Sequence, residues 1–295
     1  MMGPAPVQTS SAPRIRHREK PARNTNIEMK SNDWTTSERR AVGVTVDETP
    51  STLADTEKWR VRVDERKGAV ALVSGGLDSA TVLALARSTG IDCHALTIDY
   101  GQRHRVEIEA ARRVALQLGA ASHRVVAVDL RVFGGSALTA DIAVPNPKNS
   151  DSIGRTIPST YVPARNTIFL SLALAWAEVL DVTDIYIGAT ARDFSGYPDC
   201  RPEFLRAFEH LANLATRAGT EKRRQFHVHA PLLNWTKDKI IRRGIELGVN
   251  FGITHSCYDP SEDGLACGLC DSCILRRRGF EAAGVDDPTE YAESE

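Results

Sequence analysis

The sequence predicts an α/β fold, a doubly wound and mostly parallel sheet, with a small metal-binding segment near its C-terminal end. Three observations carry that expectation. From Gly68 onward, short β-branched or apolar runs alternate with amphipathic ones, as strands joined by crossover helices do. Two adjacent glycines flanked by hydroxyl residues, Ser74-Gly75-Gly76-Leu77-Asp78-Ser79, stand where the first strand should turn into the first helix. Four of the six cysteines, Cys257, Cys267, Cys270 and Cys273, crowd together late in the chain.

The elements are expected in this order: a strand over 69–73 and a helix over 79–87, a strand over 93–98 and a helix over 105–118, then a strand over 124–128. Residues 134–163, with Pro145, Pro147 and Pro158, are too long for a passive connector and suggest a lid or substrate loop. A helix over 167–180, a strand over 184–187 and a helix over 202–217 follow, then the apolar run 228–233. A last helix, capped at Thr236 and ending near Gly248, has Ile240, Ile241 and Ile245 on one face.

This divides the chain into an extension over 1–66, an α/β domain over 67–250, a metal-binding segment over 251–280 and a tail over 281–295. Residues 1–66 are rich in Pro, Ser, Thr, Asn and charge and hold no hydrophobic period, the composition of a disordered extension. Arg14, Arg16, Arg18, Lys20 and Arg23 leave open a transit-like or anion-binding use; a dispensable tail, or a start at Met29, fits the composition better.

With 295 residues, 42% hydrophobic and 25% charged, the composition is that of a soluble globular protein with one sizeable core. Lys and Arg total 37 and Asp and Glu 38, a net charge of -1 that offers no field for gripping nucleic acid or an anionic membrane. The longest apolar run, 168–177, is broken by Ser171 and closed by Glu178, short of the roughly 20 residues that span a bilayer. No secretory leader pattern is visible, so a reducing cytoplasm is expected, and there clustered cysteines point to metal rather than disulfides.

The glycine pair lets backbone approach a ligand closely, and free N–H groups at a helix start favour an anion. An ordinary tight turn would explain two glycines, but not a hydroxyl on each side and an acid before the helix. The loop lacks the Gly-Lys-Ser/Thr ending that clamps a γ-phosphate, and the dinucleotide fingerprint is absent. Residues Val73, Ser74, Gly75, Gly76, Leu77, Asp78, Ser79, Ala80 and Thr81 are thus assigned to a nucleotide. Ser74 and Ser79 would donate to phosphate oxygens, and Asp78 would hold Mg²⁺ or brace the loop. Asp99, Tyr100, Gly101 and Gln102, at the end of the second strand, would add adenine or ribose contacts.

The cysteine spacing C-x9-C-x2-C-x2-C can close a tetrahedral thiolate shell around structural zinc. An iron–sulfur cluster or a redox pair are the rival readings. Cys93, in a strand, is expected to be a buried small hydrophobe.

The loop Ser-Gly-Gly-x-Asp-Ser resembles the pyrophosphate loop of the N-type ATP pyrophosphatases, which cleave ATP between the α and β phosphates. Further strings follow: Asp99-Tyr100-Gly101-Gln102-Arg103-His104, Val162-Pro163-Ala164-Arg165-Asn166, Asp193 to Arg201, Ser256-Cys257-Tyr258 and Cys267 to Arg276. Together they resemble, in order, the 7-cyano-7-deazaguanine synthases of queuosine biosynthesis, from about Ala69 to Phe280. The family pattern has glycine where Ala164 stands and tyrosine where Phe194 stands.

The resemblance implies an adenine-nucleotide α-hydrolase-like fold, a homodimer, and a carbon–nitrogen ligase that uses ATP with Mg²⁺. In two adenylation steps it would turn 7-carboxy-7-deazaguanine and ammonium into an amide and then a nitrile. Ser74, Asp78, Ser79, Arg165 and Lys237 would carry that chemistry. Arg165, opening a helix, suits phosphate or carboxylate charge; a surface ion pair is its plainer reading. Asp193, Tyr197, Asp199 and Arg201 would take the deazapurine, whose N–H edge and flat ring suit an acid and an aromatic; a rigid turn with solvated charges is the plainer alternative. A tRNA-thiolating relative, an enzyme attaching a deazapurine to protein, and a non-catalytic ATP binder are the competing functions.

Overall fold

A strand buried on both faces must be apolar at every position, and the run after Gly68 meets that demand. In the computed structural model, which describes residues 67–145, 157–191, 197–221 and 224–293, β1 (Gly68–Leu72) lies at the centre of a parallel sheet. Its alternate side chains feed two separate cores: Val70 and Leu72 point into one, and Ala71, with Val73 just beyond the strand, into the other.

The sheet has the order β3-β2-β1-β4-β5, built from β2 (Asp92–Asp99), β3 (Ser122–Ala127), β4 (Asp184–Tyr186) and β5 (His227–His229), every pair parallel. The helices are α1 (Leu77–Ser88), α2 (Val106–Gln117), α3 (Arg165–Val179), α4 (Pro202–Ala215), the single turn α5 (Arg217–Thr220), α6 (Lys237–Glu246) and α7 (Asp271–Ala283). One core joins α1, α2, α6 and α7, through Leu83, Val114, Ile240, Ile241 and Phe280. The other joins α3 and α4, through Leu170, Trp176, Leu205 and Phe208. The sheet is therefore covered on both faces, and the expected doubly wound architecture stands. Because β1 pairs with β2 on one side and β4 on the other, the connections after β1 and β4 diverge and open a crevice at their C-terminal ends.

Several boundaries shift. Helix α1 begins at Leu77, two residues before the expected start, because the turn closes on Gly76. Of the last apolar run only Val228 and His229 pair with β4, with His227 before them, and the chain then turns, still burying Leu232. Ile245 is 47% exposed, so of the three isoleucines only Ile240 and Ile241 are on the buried face of α6, with Lys237 and Gly244 beside them. Cys93 is fully buried, and burial pushes its thiol up to about 11.

The segment after 250 is not an appendage. Helix α7 runs through the expected boundary at 280 and places Phe280 and Ala283 in the core beneath α1 and α6. The chain beyond folds back: fully buried Arg276 pairs with Asp287 at 3.0 Å, Tyr291 Oη donates to Asp287 at 2.7 Å, and Tyr291 bridges to Ala266. Arg276 also donates to Thr254 Oγ1 and the Phe251 carbonyl, so one guanidinium ties three stretches together. Of the suggested lid, residues 146–156 lie outside the described residues, as do 1–66. The lid's first part is packed down, with Ala137 and Val144 against the cysteine cluster. Among the described residues no helix is long and apolar enough to cross a membrane.

Candidate active site

The phosphate loop sits in the crevice, and its conformation depends on glycine at one position above all. Gly75 has φ 89°, and a Cβ there would lie 2.3 Å from the Glu107 carbonyl oxygen and 2.7 Å from the Ala111 nitrogen. The first turns of α2 therefore press directly against the loop. Ser79 Oγ accepts the Ser74 N–H at 3.1 Å and donates to the Gly76 carbonyl at 3.0 Å, which ties the loop into shape. Ser74 is exposed to the cavity, and Gly76 starts α1 without a side-chain cap of its own, so the helix N-terminus, with hydroxyls rather than an acid at its first N–H groups, suits an anion.

Asp78 is held by Lys237, whose Nζ lies 3.0 Å from both carboxylate oxygens. Of the two uses expected for Asp78, bracing the loop is the one this geometry serves. Lys237 is buried at the first position of α6, and Gly279 of α7 gives its stem room to pass.

One cavity opens between the ends of β1, β2 and β4. It is lined by Val73, Ser74, Gly76, Leu77, Asp78, Ser79, Tyr100, Gln102, Arg165, Tyr197 and Lys237 among the expected residues. Arg165 stands with its guanidinium carbon 5.9 Å from the ring centres of both Tyr100 and Phe169. Tyr197 is buried, meets Thr160 Oγ1 at 3.1 Å and packs at 5.6 Å on Tyr161; burial raises its phenol above the usual range.

Other expected residues are placed differently. Ala80 and Thr81 are buried inside α1, where Thr81 Oγ1 donates to the Leu77 carbonyl, and Gly75 faces α2 rather than the cavity. Asp99 accepts from Arg105 at 3.0 Å, and Gly101 adopts φ 80° to turn the chain beside it. Asp199 is buried as a backbone acceptor: its Oδ2 takes the Asn166 N–H at 2.9 Å and its carbonyl takes the Asn166 amide. It thus fixes the start of α3, and with it Arg165. Exposed Arg201 turns back to the Pro198 carbonyl. Neither Asp199 nor Arg201 lines the cavity. Asp193 lies outside the described residues.

The cavity also holds residues the sequence did not single out as site residues: Glu107, Asn166, Gly188, Ala189, Thr190, Cys200, His255, Ser256 and Tyr258. Gly188 lies just beyond β4, where a Cβ would come within 3.2 Å of the Ser79 nitrogen. Ser256 Oγ accepts the Leu77 N–H at 3.4 Å. The quoted strings were the available signal for four of these, Asn166, Cys200, Ser256 and Tyr258. Glu107 gave none, since one Glu in an amphipathic helix looks like any solvent-facing carboxylate.

Below Tyr258, Cys257, Cys267, Cys270 and Cys273 place their sulfur atoms within 4.8 Å of one another. A tetrahedral zinc with Zn–S of about 2.3 Å requires sulfurs about 3.8 Å apart, so the set is compatible with a zinc site after small rotations. Backbone N–H groups of Asp259 and Cys267 point at Cys257 Sγ at 3.3 and 3.2 Å, and Leu269 and Cys270 donate to Cys267 Sγ at 3.4 Å each. Such donors stabilise thiolates. Gly268, at φ 72°, makes the knuckle between the second and third cysteine.

A crevice at the switch point of a parallel sheet, with a helix N-terminus and an arginine converging on it, defines a nucleotide-using α/β enzyme. The family model described as queuosine biosynthesis protein QueC matches residues 68–284, and the chain belongs to that family. It is 59% identical over 227 residues to a 7-cyano-7-deazaguanine synthase of Desulfatibacillum aliphaticivorans, covering 77% of this chain and 97% of the relative. Synthases of the same description from Myxococcus xanthus and Syntrophotalea carbinolica are 61% and 62% identical, each covering 77% of this chain and 99% and 97% of the relative.

Proposed function

We propose that this chain is an ATP-dependent carbon–nitrogen ligase that converts 7-carboxy-7-deazaguanine and ammonia to 7-cyano-7-deazaguanine in queuosine or related 7-deazapurine biosynthesis. The observation that carries the reading is the convergence of the phosphate loop, Arg165 and Tyr197 on one cavity, in a chain about 60% identical to synthases of that description over nearly their whole length. Neither a tRNA-thiolating nor a protein-attaching activity has a comparable observation behind it.

In this reading Ser74 and the N–H groups at the start of α1 receive the β and γ phosphates, held in register by Ser79 and the Asp78–Lys237 pair. Mg²⁺ bound with ATP would supply neutralisation of phosphate charge on the departing pyrophosphate. Arg165, made rigid by two aromatic rings, meets the substrate carboxylate or the α-phosphate, where charge develops during adenylation. Tyr100 and Gln102 lie toward the nucleotide; Tyr197 and Tyr258 offer flat surface to the deazapurine. Asp199 acts as a positioning residue, since it anchors the helix that carries Arg165. One zinc per chain is structural, because a four-thiolate shell leaves no open position. The reading extends to a cytoplasmic homodimer acting on small molecules, in keeping with the family resemblance.

The test is incubation of purified protein with ATP, Mg²⁺, ammonium and 7-carboxy-7-deazaguanine, with the deazapurine products and AMP followed by mass spectrometry. Nitrile with AMP is expected. Intact ATP with neither amide nor nitrile would overturn the proposal.

A further inference from the structure

Both nitrogen-handling steps of such a reaction release protons, and the enzyme needs somewhere to put them. When ammonia attacks the acyl adenylate, a C–N bond forms, the C–O bond to AMP breaks with its electron pair, and the new nitrogen sheds a proton. When the amide oxygen is adenylated, pyrophosphate leaves; expulsion of AMP then makes the nitrile, and the nitrogen gives up its two remaining protons. The cavity's described lining contains two carboxylates, Asp78 and Glu107. Asp78 is engaged through both oxygens by Lys237.

Glu107 occupies the first turn of α2 and lines the cavity; its own carbonyl oxygen is the atom that packs against Gly75, and its carboxyl meets Gln102, another lining residue. Gln102 Oε1 accepts the Tyr100 N–H at 2.9 Å, which directs the Gln102 NH₂ group outward, and Gln102 hydrogen-bonds Glu107. The carboxylate thus belongs to the cavity that the 74–79 loop, Arg165 and Tyr197 also line, close enough to Arg165 to feel its charge; a substrate with its phosphate on the loop and its deazapurine near Tyr197 would occupy that same cavity.

We propose that Glu107 is the general base of the reaction, accepting one proton at a time from the entering ammonia and from the amide nitrogen as the nitrile forms, and passing each to solvent before the next. The inference rests on the nitrile-forming reading above. Its electrostatic setting suits the task. Burial pushes the Glu107 carboxyl up to about 7; Arg165 from α3 and the Gln102 hydrogen bond pull it down, and Asp99 at the end of β2 pushes it up. Tyr100, its other neighbour, is itself raised by burial and stays protonated. A carboxylate near 7 takes a proton far better than an ordinary one, yet is still ionised about half the time at neutral pH.

The experiment supplies 7-amido-7-deazaguanine and ATP without ammonium, so the titration of ammonia does not enter. Nitrile formation by the wild type should rise with pH through about 7, because the base works only when ionised. Glu107→Gln should lower it on the order of 100-fold and abolish that limb, and Glu107→Asp should keep the limb at a reduced rate. With 7-carboxy-7-deazaguanine, both variants should retain substrate-dependent pyrophosphate exchange into ATP within about threefold, since carboxylate adenylation releases no proton.

Equal nitrile rates in wild type and Glu107→Gln, or a limb that survives the substitution, would overturn the assignment. So would a parallel loss of exchange, or recovery at high Mg²⁺, which would make Glu107 a metal or structural group. A wild type that shows neither exchange nor nitrile would instead refute the nitrile-forming reading itself.

Discussion

The Lys237 ammonium lies 3.0 Å from each carboxylate oxygen of Asp78, joining the first turn of α6 to the first turn of α1 across 159 residues of sequence. Lys237 is 9% exposed and Asp78 25%, so the pair is shielded without being sealed from water. Lys237→Met keeps the stem and removes the charge, leaving the Asp78 carboxylate facing incoming phosphate without its counter-ion. The expected outcome is a fall in ATP turnover on the order of 100-fold and a loss of about 2 kcal/mol in denaturant unfolding.

Gly279 exists to let that lysine pass. A Cβ at 279 would lie 2.3 Å from Lys237 Cγ and 2.9 Å from Ile241 Cδ1. Gly279→Ala should cost about 1–3 kcal/mol through overpacking. It should also raise the KM for ATP, although residue 279 lies outside the cavity lining. Steady-state kinetics paired with thermal melts would show both effects, and a variant with wild-type KM would break the link between α7 and the phosphate loop.

Ala164 precedes Arg165 with φ 55° and ψ 21°, a left-handed conformation that costs an alanine about 1–2 kcal/mol. The departure from glycine noted in the sequence therefore falls where glycine would relax the backbone. Part of the gain is returned as chain entropy in the unfolded state. Ala164→Gly is expected to stabilise the protein by about 0.5–1 kcal/mol, seen as a higher denaturant midpoint at unchanged slope.

Cys270 and Cys273 stand at the cap and in the first turn of α7, the helix that carries Gly279 and Arg276. Substituting either by serine should drop bound zinc from about one per chain to near none. It should lower the melting temperature by at least about 5 °C and remove activity without touching the nucleotide cavity. Elemental analysis after dialysis, with iron and sulfide measured alongside, checks the metal's identity.

Features carried by contiguous residues were readable in the sequence. The loop 74–79 and the cysteine knuckle need only their own spacing, and the central strand β1 announces itself as an unbroken apolar run. Residues whose role depends on a distant partner were not readable. Asp199 and Arg201 share one polar stretch with Tyr197, yet the fold gives Asp199 to the backbone of α3 and turns Arg201 back on its own chain. Glu107 and Glu109 look alike in the sequence, and only the helix's rotation against Gly75 sends one into the cavity and leaves the other exposed.

The sequence by itself thus determined the fold class, the 74–79 loop between β1 and α1 and the four-cysteine set, because local spacing and hydrophobic period encode them. The tertiary structure alone decided that Lys237 braces Asp78, that α7 is part of the main core and that Glu107 lines the cavity. Those three facts depend on how helices far apart in the chain rotate and pack, and packing of that kind leaves no periodic trace in the sequence.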